Sequence, residues 1–480
     1  MALVLGIDSS TQSVKVEARD LDTGAVVATG SAAHPPTTPP VSEQDPQAWW
    51  QALVGATTAI GPHRADVVAM AVAAQQHGLV MLDDSGTAVR PAMLWNDTTS
   101  APQADELTTT RSPQVWADAC GSVPVAAFTV AKLARVAATE PAALDRVARI
   151  MLPHDYLTWR LTGRHVTDRG DASGTGWFDP ATNTYQPDLL AAAVGADSGW
   201  LDRLPEVLGP TEVAGELTTE AADVLGLPAG IPIGPGTGDN MGAALGLGLR
   251  PGDLALSLGT SGTVYAVSTT ATHDPSGAVA GFADATGRFL PLVCTLNATG
   301  VTDTVAAWLG TDAPGLSELA LSADPGFGGV TLIPYFDGER TPNLPDATGL
   351  FAGLRRTTTR ADLARAAHDG VVCGLLDGLD ALRACGVAAD GRLHLVGGGA
   401  RSAAYRQRTA DLWGAPIRVP DADEAVATGA AVQAAVVAGA AADASAVAER
   451  WNLGVGHDVE PAGTDGAEVR AAYGATRPSS

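Results

Sequence analysis

Two turns rich in small hydroxyl residues are candidates for chemistry, because such turns can present successive backbone N–H groups to an anion. The first is Asp8-Ser9-Ser10-Thr11-Gln12-Ser13-Val14-Lys15, where Asp8 could hold Mg²⁺ and Lys15 could offset phosphate charge. The second is Ser257-Leu258-Gly259-Thr260-Ser261-Gly262-Thr263. An ordinary hairpin turn is the alternative explanation for each segment alone. Two such turns facing each other across a cleft could hold a triphosphate from both sides.

A carboxylate suited to general-base catalysis lies in Gly234-Pro235-Gly236-Thr237-Gly238-Asp239-Asn240-Met241-Gly242. This segment is predicted to end a short strand and to open a helix of small residues. Asp239 would then lie at the helix N-terminus, where the helix dipole favours the ionised form. An ionised carboxylate there could accept a proton from an alcohol that attacks a phosphoryl group. The alternative is an aspartate that only caps the helix.

Polar residues also follow an apolar run, Val67–Ala74, that is predicted to be a buried strand. Gln75-Gln76-His77-Gly78 ends this run, and Trp95-Asn96-Asp97 comes shortly after it. Because open α/β sheets bind ligands at the carboxyl ends of their strands, these groups could contact the hydroxyls of a small polar molecule. A buried structural histidine is the alternative for His77. The glycine turn 397–402 could leave room for a flat adenine, although a plain strand-to-helix turn explains it equally well.

The predicted elements place these residues at two similar hairpins about half the chain apart. Around the first turn the strands are Ala2–Ile7, Val14–Asp20 and Ala25–Ala32, and Asp45-Pro46 marks the start of a helix. Around the second turn the strands are Ala255–Ser257 and Thr263–Val267, and later a strand Arg392–Val396 precedes a helix Ala403–Trp413. The repetition suggests two related domains with a boundary near residues 245–250.

Composition excludes several classes of protein. The chain has 480 residues, of which 46% are hydrophobic, so a large core can form and a disordered or fibrous chain is excluded. Its formal net charge is −24, which repels phosphate backbones and anionic lipid, so nucleic acid and membrane surfaces are not expected partners. An anionic ligand would have to be held by backbone amides, helix N-termini or a metal ion.

The cysteines and the hydrophobic segments favour a cytoplasmic protein. The four cysteines, at positions 120, 294, 373 and 385, have no zinc-like spacing and read as free thiols in a reducing compartment. The segment Met1–Asp8 lacks the basic region of a signal peptide. The most apolar long stretch, Ala425–Ala442, is too weakly hydrophobic to span a bilayer.

Taken together, the motifs of this sequence resemble those of the FGGY family of carbohydrate kinases, from Gly6 to about Gly439. The most specific matches in the first half are Ser42–Pro46 with Trp49-Trp50, Gln75–Gly78, Leu94–Asp97 and Leu152–Leu157. In the second half they are Gly238–Asn240, Ser257–Gly262, Gly338–Pro342 and Gly397–Ser402. Many separate matches in the right order carry far more weight than any one of them.

The resemblance implies an α/β fold with two actin-like, ribonuclease-H-like domains and an active-site cleft between them. The expected divisions are an N-terminal domain 1–246, a C-terminal domain 247–452 and a polar tail 453–480. The resemblance assigns Asp239 as the general base and Asp8 to the metal–phosphate site, with both as ligands of Mg²⁺. The implied sugar contacts are Gln76, His77, Trp95, Asp239 and Asn240. The implied ATP contacts are Ser10, Thr11, Gln12, Lys15, Gly259, Thr260, Ser261, Gly398, Gly399 and Ser402.

The activity implied is ATP-dependent phosphorylation of D-xylulose at its 5-hydroxyl, with a homodimer left open as the assembly. The alternatives are a kinase of the same family for ribulose, gluconate or glycerol, and an actin- or Hsp70-like ATPase without a sugar substrate. The sequence departs from the family pattern at Ser10 and Ser13, where glycine is frequent, and at Ala74. Lys132 falls in a segment similar to one in the family, but the resemblance assigns it no role.

Overall fold

The computed structural model describes residues 1–196, 198–324, 326, 328–421 and 424–478, and the chain divides into two compact units. The first unit comprises Met1–Leu249, Thr269–Leu290 and Ala422–Gly454. The second comprises Arg250–Ser268, Pro291–Asp421 and Val455–Ser480. Each unit is therefore assembled from segments that are far apart in the sequence. None of the helices in the described part of the chain has the length and apolar character needed to cross a membrane.

The elements of the chain up to residue 246 all belong to the first unit. The strands are β1 (Leu3–Ser9), β2 (Ser13–Asp20), β3 (Val26–Ala33), β4 (Glu43–Gln44), β5 (Val67–Ala74), β6 (Val80–Leu82), β7 (Ala92–Met93), β8 (Arg149–Met151), β9 (Val166–Asp168), β10 (Phe178–Asp179), β11 (Thr184–Tyr185), β12 (Glu206–Leu208), β13 (Gly215–Glu216), β14 (Pro232–Ile233) and β15 (Thr237–Gly238). The α-helices are α1 (Pro46–Ala59), α2 (Ala101–Thr110), α3 (Pro113–Cys120), α4 (Thr129–Thr139), α5 (Pro141–Leu144), α6 (Pro153–Thr162), α7 (Arg169–Ala172), α8 (Pro187–Val194), α9 (Thr219–Leu225) and α10 (Asp239–Gly246).

The elements after residue 250 are divided between the units. The strands are β16 (Leu254–Leu258), β17 (Gly262–Ala266), β18 (Ala280–Ala283), β19 (Phe289–Thr295), β20 (Thr331–Ile333), β21 (Leu350–Ala352), β22 (Leu393–Val396), β23 (Ile417–Pro420) and β24 (Gly456–Val459). The α-helices are α11 (Thr299–Trp308), α12 (Ala313–Leu321), α13 (Arg360–Ala384), α14 (Ala403–Trp413), α15 (Ala425–Val437), α16 (Ala444–Arg450) and α17 (Gly466–Thr476). Of these, β18, α15 and α16 lie in the first unit.

The main sheet of the first unit is mixed, in the order β13-β14-β5-β1-β2-β3, with β15 also paired to β5. Strand β1 is antiparallel to β2 and parallel to β5, and all seven of its residues are buried. On one face Leu5 and Ile7 belong to the same hydrophobic core as Trp49 of α1, and on the other face Gly6 faces α15. A Cβ at Gly6 would lie 1.8 Å from the Ala427 carbonyl oxygen, so only glycine permits this contact. Both faces of the sheet are thus covered by helices, as parallel pairing requires.

The sheet of the second unit follows the order β19-β17-β16-β22-β23-β24. Strand β16 is antiparallel to β17 and parallel to β22, which repeats the arrangement around β1. The polar tail predicted from residue 453 contains regular structure in this unit, because β24 pairs with β23 and Tyr473 of α17 is buried.

Several local predictions are confirmed. The strand Val67–Ala74 and the helix Ala403–Trp413 have the predicted bounds, and the predicted hairpin strands agree to within one or two residues. Helix α1 begins as its sequence predicts: Pro46 is its first residue, and the Asp45 carboxylate accepts a hydrogen bond from the Gln47 N–H at 2.9 Å.

Candidate functional site

Three strands of the first unit end at the same edge of the sheet. Strand β5 lies between β1 and β15. Its residue Ala73 lies opposite Asp8 of β1 and Thr237 of β15, and Ala74 lies opposite Ser9 and Gly238. All three strands are parallel to one another, so the chain leaves each of them in the same direction. The turn after β1, the segment after β5 and Asp239 after β15 therefore emerge side by side, where an α/β sheet can bind a ligand.

Asp8 and Asp239 are the two carboxylates at this edge. Asp8 is only 6% exposed, and its Oδ1 atom has no hydrogen-bond partner. Burial, followed by the nearby charge of Asp239, raises the pKa of Asp8 to about 7, although the charge of Lys15 opposes this shift. The structure thus brings together the two acidic residues that the sequence analysis selected.

Asp239 is the first residue of α10, and Gly238 occupies the N-cap position. The carboxylate is half-buried, and its Oδ1 accepts hydrogen bonds from the backbone N–H of Asn240 at 2.8 Å and from the Asn240 Nδ2 at 3.1 Å. Burial raises the pKa of Asp239 to about 6, while the hydrogen bonds from Asn240 act in the opposite direction. The predicted position at the helix N-terminus is confirmed, but desolvation outweighs the expected preference for the ionised form.

A chain of hydrogen bonds links the segments after β5 and β15. The Nδ2 atom of Asn240 donates to Oε1 of Gln76 at 2.8 Å. A Cβ at Gly238 would lie 2.6 Å from Cγ of Gln76, so the absence of a side chain at Gly238 lets Gln76 lie against β15. Gln76 and Asn240, both predicted to contact a sugar, are therefore held as a pair beside Asp239.

Trp95 and the turn after β1 are linked in the same way. The indole Nε1 of Trp95 donates to Oγ1 of Thr11 at 2.9 Å, and that hydroxyl donates to Oε1 of Gln75 at 3.2 Å. Trp95 is 41% exposed, which is unusual for so large an apolar side chain and leaves part of the ring able to contact a ligand. Thr11 thus connects a residue predicted to bind sugar with the turn predicted to bind phosphate.

His77 adopts an uncommon backbone conformation, with a φ of 64°. Its Nδ1 atom lies 2.8 Å from the carbonyl oxygen of Gly174, its ring stacks on Phe128 at 4.9 Å between centroids, and it lies at a tilt to Phe282 at 5.5 Å. Because a carbonyl can only accept, Nδ1 carries the proton and Nε2 is the acceptor atom of the neutral ring.

The turn after β1 is closed by its own serines. The Ser10 N–H and the Ser10 Oγ both donate to the carbonyl oxygen of Ser13 at 3.0 Å, and neither serine has a positive φ. The turn therefore forms without the glycines that are frequent in the family pattern. Gln12 is exposed, whereas Lys15 forms an ion pair at 2.7 Å with Glu424, which comes from the late segment of the same unit.

The remaining predicted residues lie together on the second unit. Gly259, Thr260 and Ser261 form the exposed turn between β16 and β17, and the backbone of α11 donates to the carbonyl oxygens of Gly259 and Thr260. Ser257 of β16 pairs with Val396 of β22, so this turn and the glycine turn after β22 emerge at the same edge.

In the glycine turn the predicted residues have distinct surroundings. Gly398 is exposed, and a Cβ there would meet only the end of the Arg401 side chain, at 3.8 Å. Gly399 is buried against Leu258. Ser402 is the N-cap of α14, accepts from the Tyr405 N–H at 3.3 Å and donates to Oγ of Ser317 at 3.1 Å.

A buried charged cluster behind Asp239 was not selected from the sequence. The His154 Nε2 atom lies 3.1 Å from Asp155, 3.4 Å from Asp168 and 3.5 Å from Asp171. Burial lowers the pKa of His154, but the three carboxylates together raise it to about 9. Asp168 also accepts a hydrogen bond from Oγ1 of Thr237 at 2.9 Å. The cluster thus supports β15 just before Asp239.

The sequence signals for this cluster were present but incomplete. His154 and Asp155 lie in the segment Leu152–Leu157 that was quoted for the family resemblance, but nothing in that segment indicates that Asp168 and Asp171 approach it. Within the described residues, no group of three or more His, Cys, Asp or Glu side chains is arranged to hold a metal ion. Because the cluster is buried and Asp168 accepts a hydrogen bond from Thr237, we interpret it as structural.

Comparison with known proteins places this geometry in a family. Residues 3–246 match the N-terminal domain of the FGGY family of carbohydrate kinases, and residues 254–438 match its C-terminal domain. The chain is 49% identical over 460 residues to a xylulose kinase of Streptomyces coelicolor, covering 95% of this chain and 92% of the relative. It is 37% identical over 424 residues to a xylulose kinase of Escherichia coli, covering 86% and 85%.

A solved structure gives the same result for the fold. The crystal structure of xylulose kinase from Bifidobacterium adolescentis aligns with a TM-score of 0.88 at 42% identity, covering 99% of both chains. The expected two-domain α/β fold of sugar kinases is therefore confirmed. The chain belongs to the FGGY family of carbohydrate kinases.

Proposed function

We propose that this sugar kinase transfers the γ-phosphoryl group of ATP to the 5-hydroxyl of D-xylulose, giving D-xylulose 5-phosphate and ADP. The observation that carries the chemistry is the placement of Asp239, half-buried at the first position of α10, beside Asp8 at a common sheet edge. The choice of sugar is supported by relatives of 49% and 37% identity that are named xylulose kinases.

Asp239 acts as the general base in this proposal. Its carboxylate accepts the proton of the 5-hydroxyl as that oxygen attacks the γ-phosphorus and the bond to the β-phosphate oxygen breaks. A general base is most effective when its pKa lies near the operating pH, and burial raises the pKa of Asp239 to about 6. The carboxylate is then a stronger base than an exposed aspartate yet remains mostly ionised at neutral pH.

Asp8 and Asp239 fit a magnesium ion that arrives with ATP. Mg²⁺ is bound by oxygen ligands, usually one or two carboxylates together with phosphates and waters. The Oδ1 atom of Asp8 is buried and has no hydrogen-bond partner, and the charge of Asp239 raises the pKa of Asp8. A cation bound there would give this oxygen a partner and would reduce the repulsion between the two carboxylates. When bound, Mg²⁺ would neutralise charge on the β- and γ-phosphates.

The other residues divide between the two ligands. For the sugar we propose Gln76, His77, Trp95 and Asn240, of which Gln76 and Asn240 are hydrogen-bonded to each other beside Asp239. For the phosphates we propose the turn residues Ser10, Thr11, Gln12, Lys15, Gly259, Thr260 and Ser261. For the adenosine we propose Gly398, Gly399 and Ser402, where the open space at Gly398 could admit a flat ring. The free thiols of the four cysteines support a reducing, cytoplasmic location.

A coupled assay of ADP formation with a panel of sugars tests the substrate. We expect the highest kcat/KM with D-xylulose among D-xylulose, D-ribulose, D-gluconate and glycerol, and little ADP formation without sugar. A higher kcat/KM with gluconate or glycerol would refute the proposed substrate. ADP formation that does not respond to any sugar would refute the phosphoryl transfer itself.

The variant Asp239→Asn tests the general base. Asn keeps the shape of the side chain and an acceptor oxygen for the Asn240 N–H, so we expect ATP binding to persist while kcat falls about 100- to 10,000-fold. The matched control is Asp22→Asn, which changes an exposed carboxylate in the turn after β2 and should leave kcat unchanged. Near-normal turnover by the Asp239→Asn variant would refute the assignment.

A further inference from the structure

Lys132 is a fully buried lysine to which the proposed mechanism assigns no role. It lies on α4 and is 0% exposed, an environment in which lysine is rare because its charge must be removed from water. The chain contains only one other lysine, at position 15. A buried amino group must satisfy its hydrogen bonds within the protein, so its partners indicate what it does.

The Lys132 amino group bonds to backbone next to the proposed sugar site. Its Nζ atom donates to the carbonyl oxygen of His77 at 2.8 Å and also to the carbonyl oxygen of Ala127. The His77 carbonyl accepts a second hydrogen bond, from Oγ1 of Thr129 at 3.2 Å. Two donors from one helix therefore fix the orientation of the peptide group that follows His77.

That peptide needs to be fixed because His77 is in the left-handed region, with a φ of 64°. A residue with a Cβ adopts this region only when its surroundings compensate the strain. On the other side of the residue, the ring is held by the Gly174 carbonyl at 2.8 Å and by stacking on Phe128. A Cβ at Gly174 would lie 2.6 Å from the His77 ring, so the ring sits in a closely fitted space.

We propose that Lys132 is a positioning residue for the sugar site, which holds the His77 carbonyl and thereby keeps the backbone and imidazole of His77 in the conformation that meets the sugar. The inference rests on the proposed role of His77 as a sugar contact. Lys132 touches neither substrate in this proposal, and its effect on catalysis passes through His77.

The electrostatics of the site agree with this role. Burial lowers the pKa of Lys132 to about 7, and the charges of Asp97 and Asp171 act in the opposite direction. A neutral amine has two N–H groups, which matches the two carbonyl oxygens that accept from it. The hydrogen bonds to His77 and Ala127 therefore do not require the lysine to be charged.

The variant Lys132→Met tests the proposal, because Met keeps the length and apolar stem of lysine and removes the donors. With the sugar that the wild-type enzyme turns over best, we expect kcat/KM for the sugar to fall about 10- to 100-fold, mainly through KM. The KM for ATP should stay within about twofold of the wild-type value, because Lys132 contacts no described residue that is proposed to bind ATP and distant sites act almost independently. The matched control is Val136→Ala, which removes buried volume from the same helix without touching His77.

A double-mutant cycle separates positioning from general destabilisation. The His77→Gly variant has no imidazole to position, and glycine adopts a positive φ without strain. In that background, Lys132→Met should therefore change kcat/KM for the sugar by less than about twofold. Should the Lys132→Met protein fail to fold, Thr129→Val removes the second donor to the same carbonyl, and its cycle with His77→Gly replaces the first.

Two results would overturn the inference. One is a sugar KM of the Lys132→Met protein that stays within about twofold of the wild-type value. If Thr129→Val has to be used instead, the same result for that variant would overturn the inference. The other is full additivity with His77→Gly, which would mean that Lys132 acts independently of His77. Because the assay uses whichever sugar the panel identifies, a substrate other than D-xylulose would refute the proposed function and leave this test intact.

Discussion

The buried amino group of Lys132 should make the stability of the protein depend on pH in a way that one substitution abolishes. In the folded state burial lowers the pKa of Lys132 from 10.5 to about 7. Between pH 7 and pH 10.5 the unfolded chain therefore binds one proton more than the folded protein at this position. Stability rises with pH wherever the unfolded state binds more protons, so this group adds stability as the pH rises through 7 and adds no more above 10.5.

The size of the effect follows from the width of that interval. One proton changes the free energy of unfolding by about 1.36 kcal/mol per pH unit at 25 °C. From pH 7 to pH 10, the stability of the wild-type protein relative to the Lys132→Met variant should rise by at most about 4 kcal/mol. Below pH 7 the lysine is charged in both states, and the difference between the two proteins should stay constant.

The comparison must be made between the two proteins, because other groups titrate in the same range. His154, whose pKa is raised to about 9, makes the folded state bind the extra proton and so lowers stability as the pH rises. Asp8, with a pKa raised to about 7, acts in the same direction at lower pH. These contributions are common to both proteins and cancel in the difference.

Urea unfolding followed by tryptophan fluorescence at pH 7, 8, 9 and 10 measures the difference, and the chain has 10 tryptophans as reporters. Selective ¹³C labelling of lysine Cε gives a direct check, because the only two lysines are Lys15 and Lys132 and the variant identifies their signals. A difference in unfolding free energy that stays constant from pH 7 to pH 10 would refute the reasoning. So would a Lys132 signal that shows no titration near pH 7.

Two further predictions concern packing and thiol reactivity. Gly429→Ala should destabilise the protein by about 2–3 kcal/mol in urea unfolding, because the new Cβ would lie 1.9 Å from the Gly242 carbonyl oxygen. The control Gly55→Ala, on the exposed side of α1, should be neutral or stabilising. Equal effects of the two variants on the free energy of unfolding would contradict this prediction. Burial raises the pKa of the Cys120 thiol to about 12 and that of Cys373 still further, so in a thiol-reagent assay without denaturant both should react only as fast as the protein unfolds. Rapid labelling of either cysteine would show that its surroundings open in the native state.

Local patterns were sufficient to predict the framework of the site. The strand Val67–Ala74 could be read from an unbroken apolar run, and α1 from the Asp45-Pro46 start signal, because both patterns depend on neighbouring residues. The placement of Asp239 at the beginning of a helix followed in the same way from the small residues around it. Signals of this kind act over a few residues, so a single sequence reveals them.

Interactions between distant segments could not be predicted in this way. Lys15 was expected to offset phosphate charge, and its ion pair with Glu424, which is 409 positions away, could not be predicted from the sequence. The acidity of Asp239 was judged from its helix position alone, whereas its pKa is set mainly by burial, which depends on the whole fold. Lys132 was named only because its segment is similar to one in the family, and its contact with the His77 carbonyl spans 55 positions.

The support of the catalytic helix shows why such contacts matter for function. Helix α10, which begins with Asp239, packs on α15, and α15 also packs on β1, which ends next to the turn that contains Ser10. At both contacts backbone lies against backbone: a Cβ at Gly246 would lie 1.9 Å from the Ala425 carbonyl oxygen, and one at Gly6 would lie 1.8 Å from that of Ala427. A helix that follows Asp239 by almost 200 residues thus sets the spacing between the two carboxylate-bearing elements. Glycine cannot be replaced there without moving backbone. Substitutions at these buried glycines should therefore change the relative positions of Asp8 and Asp239, although they alter no side chain that contacts a ligand.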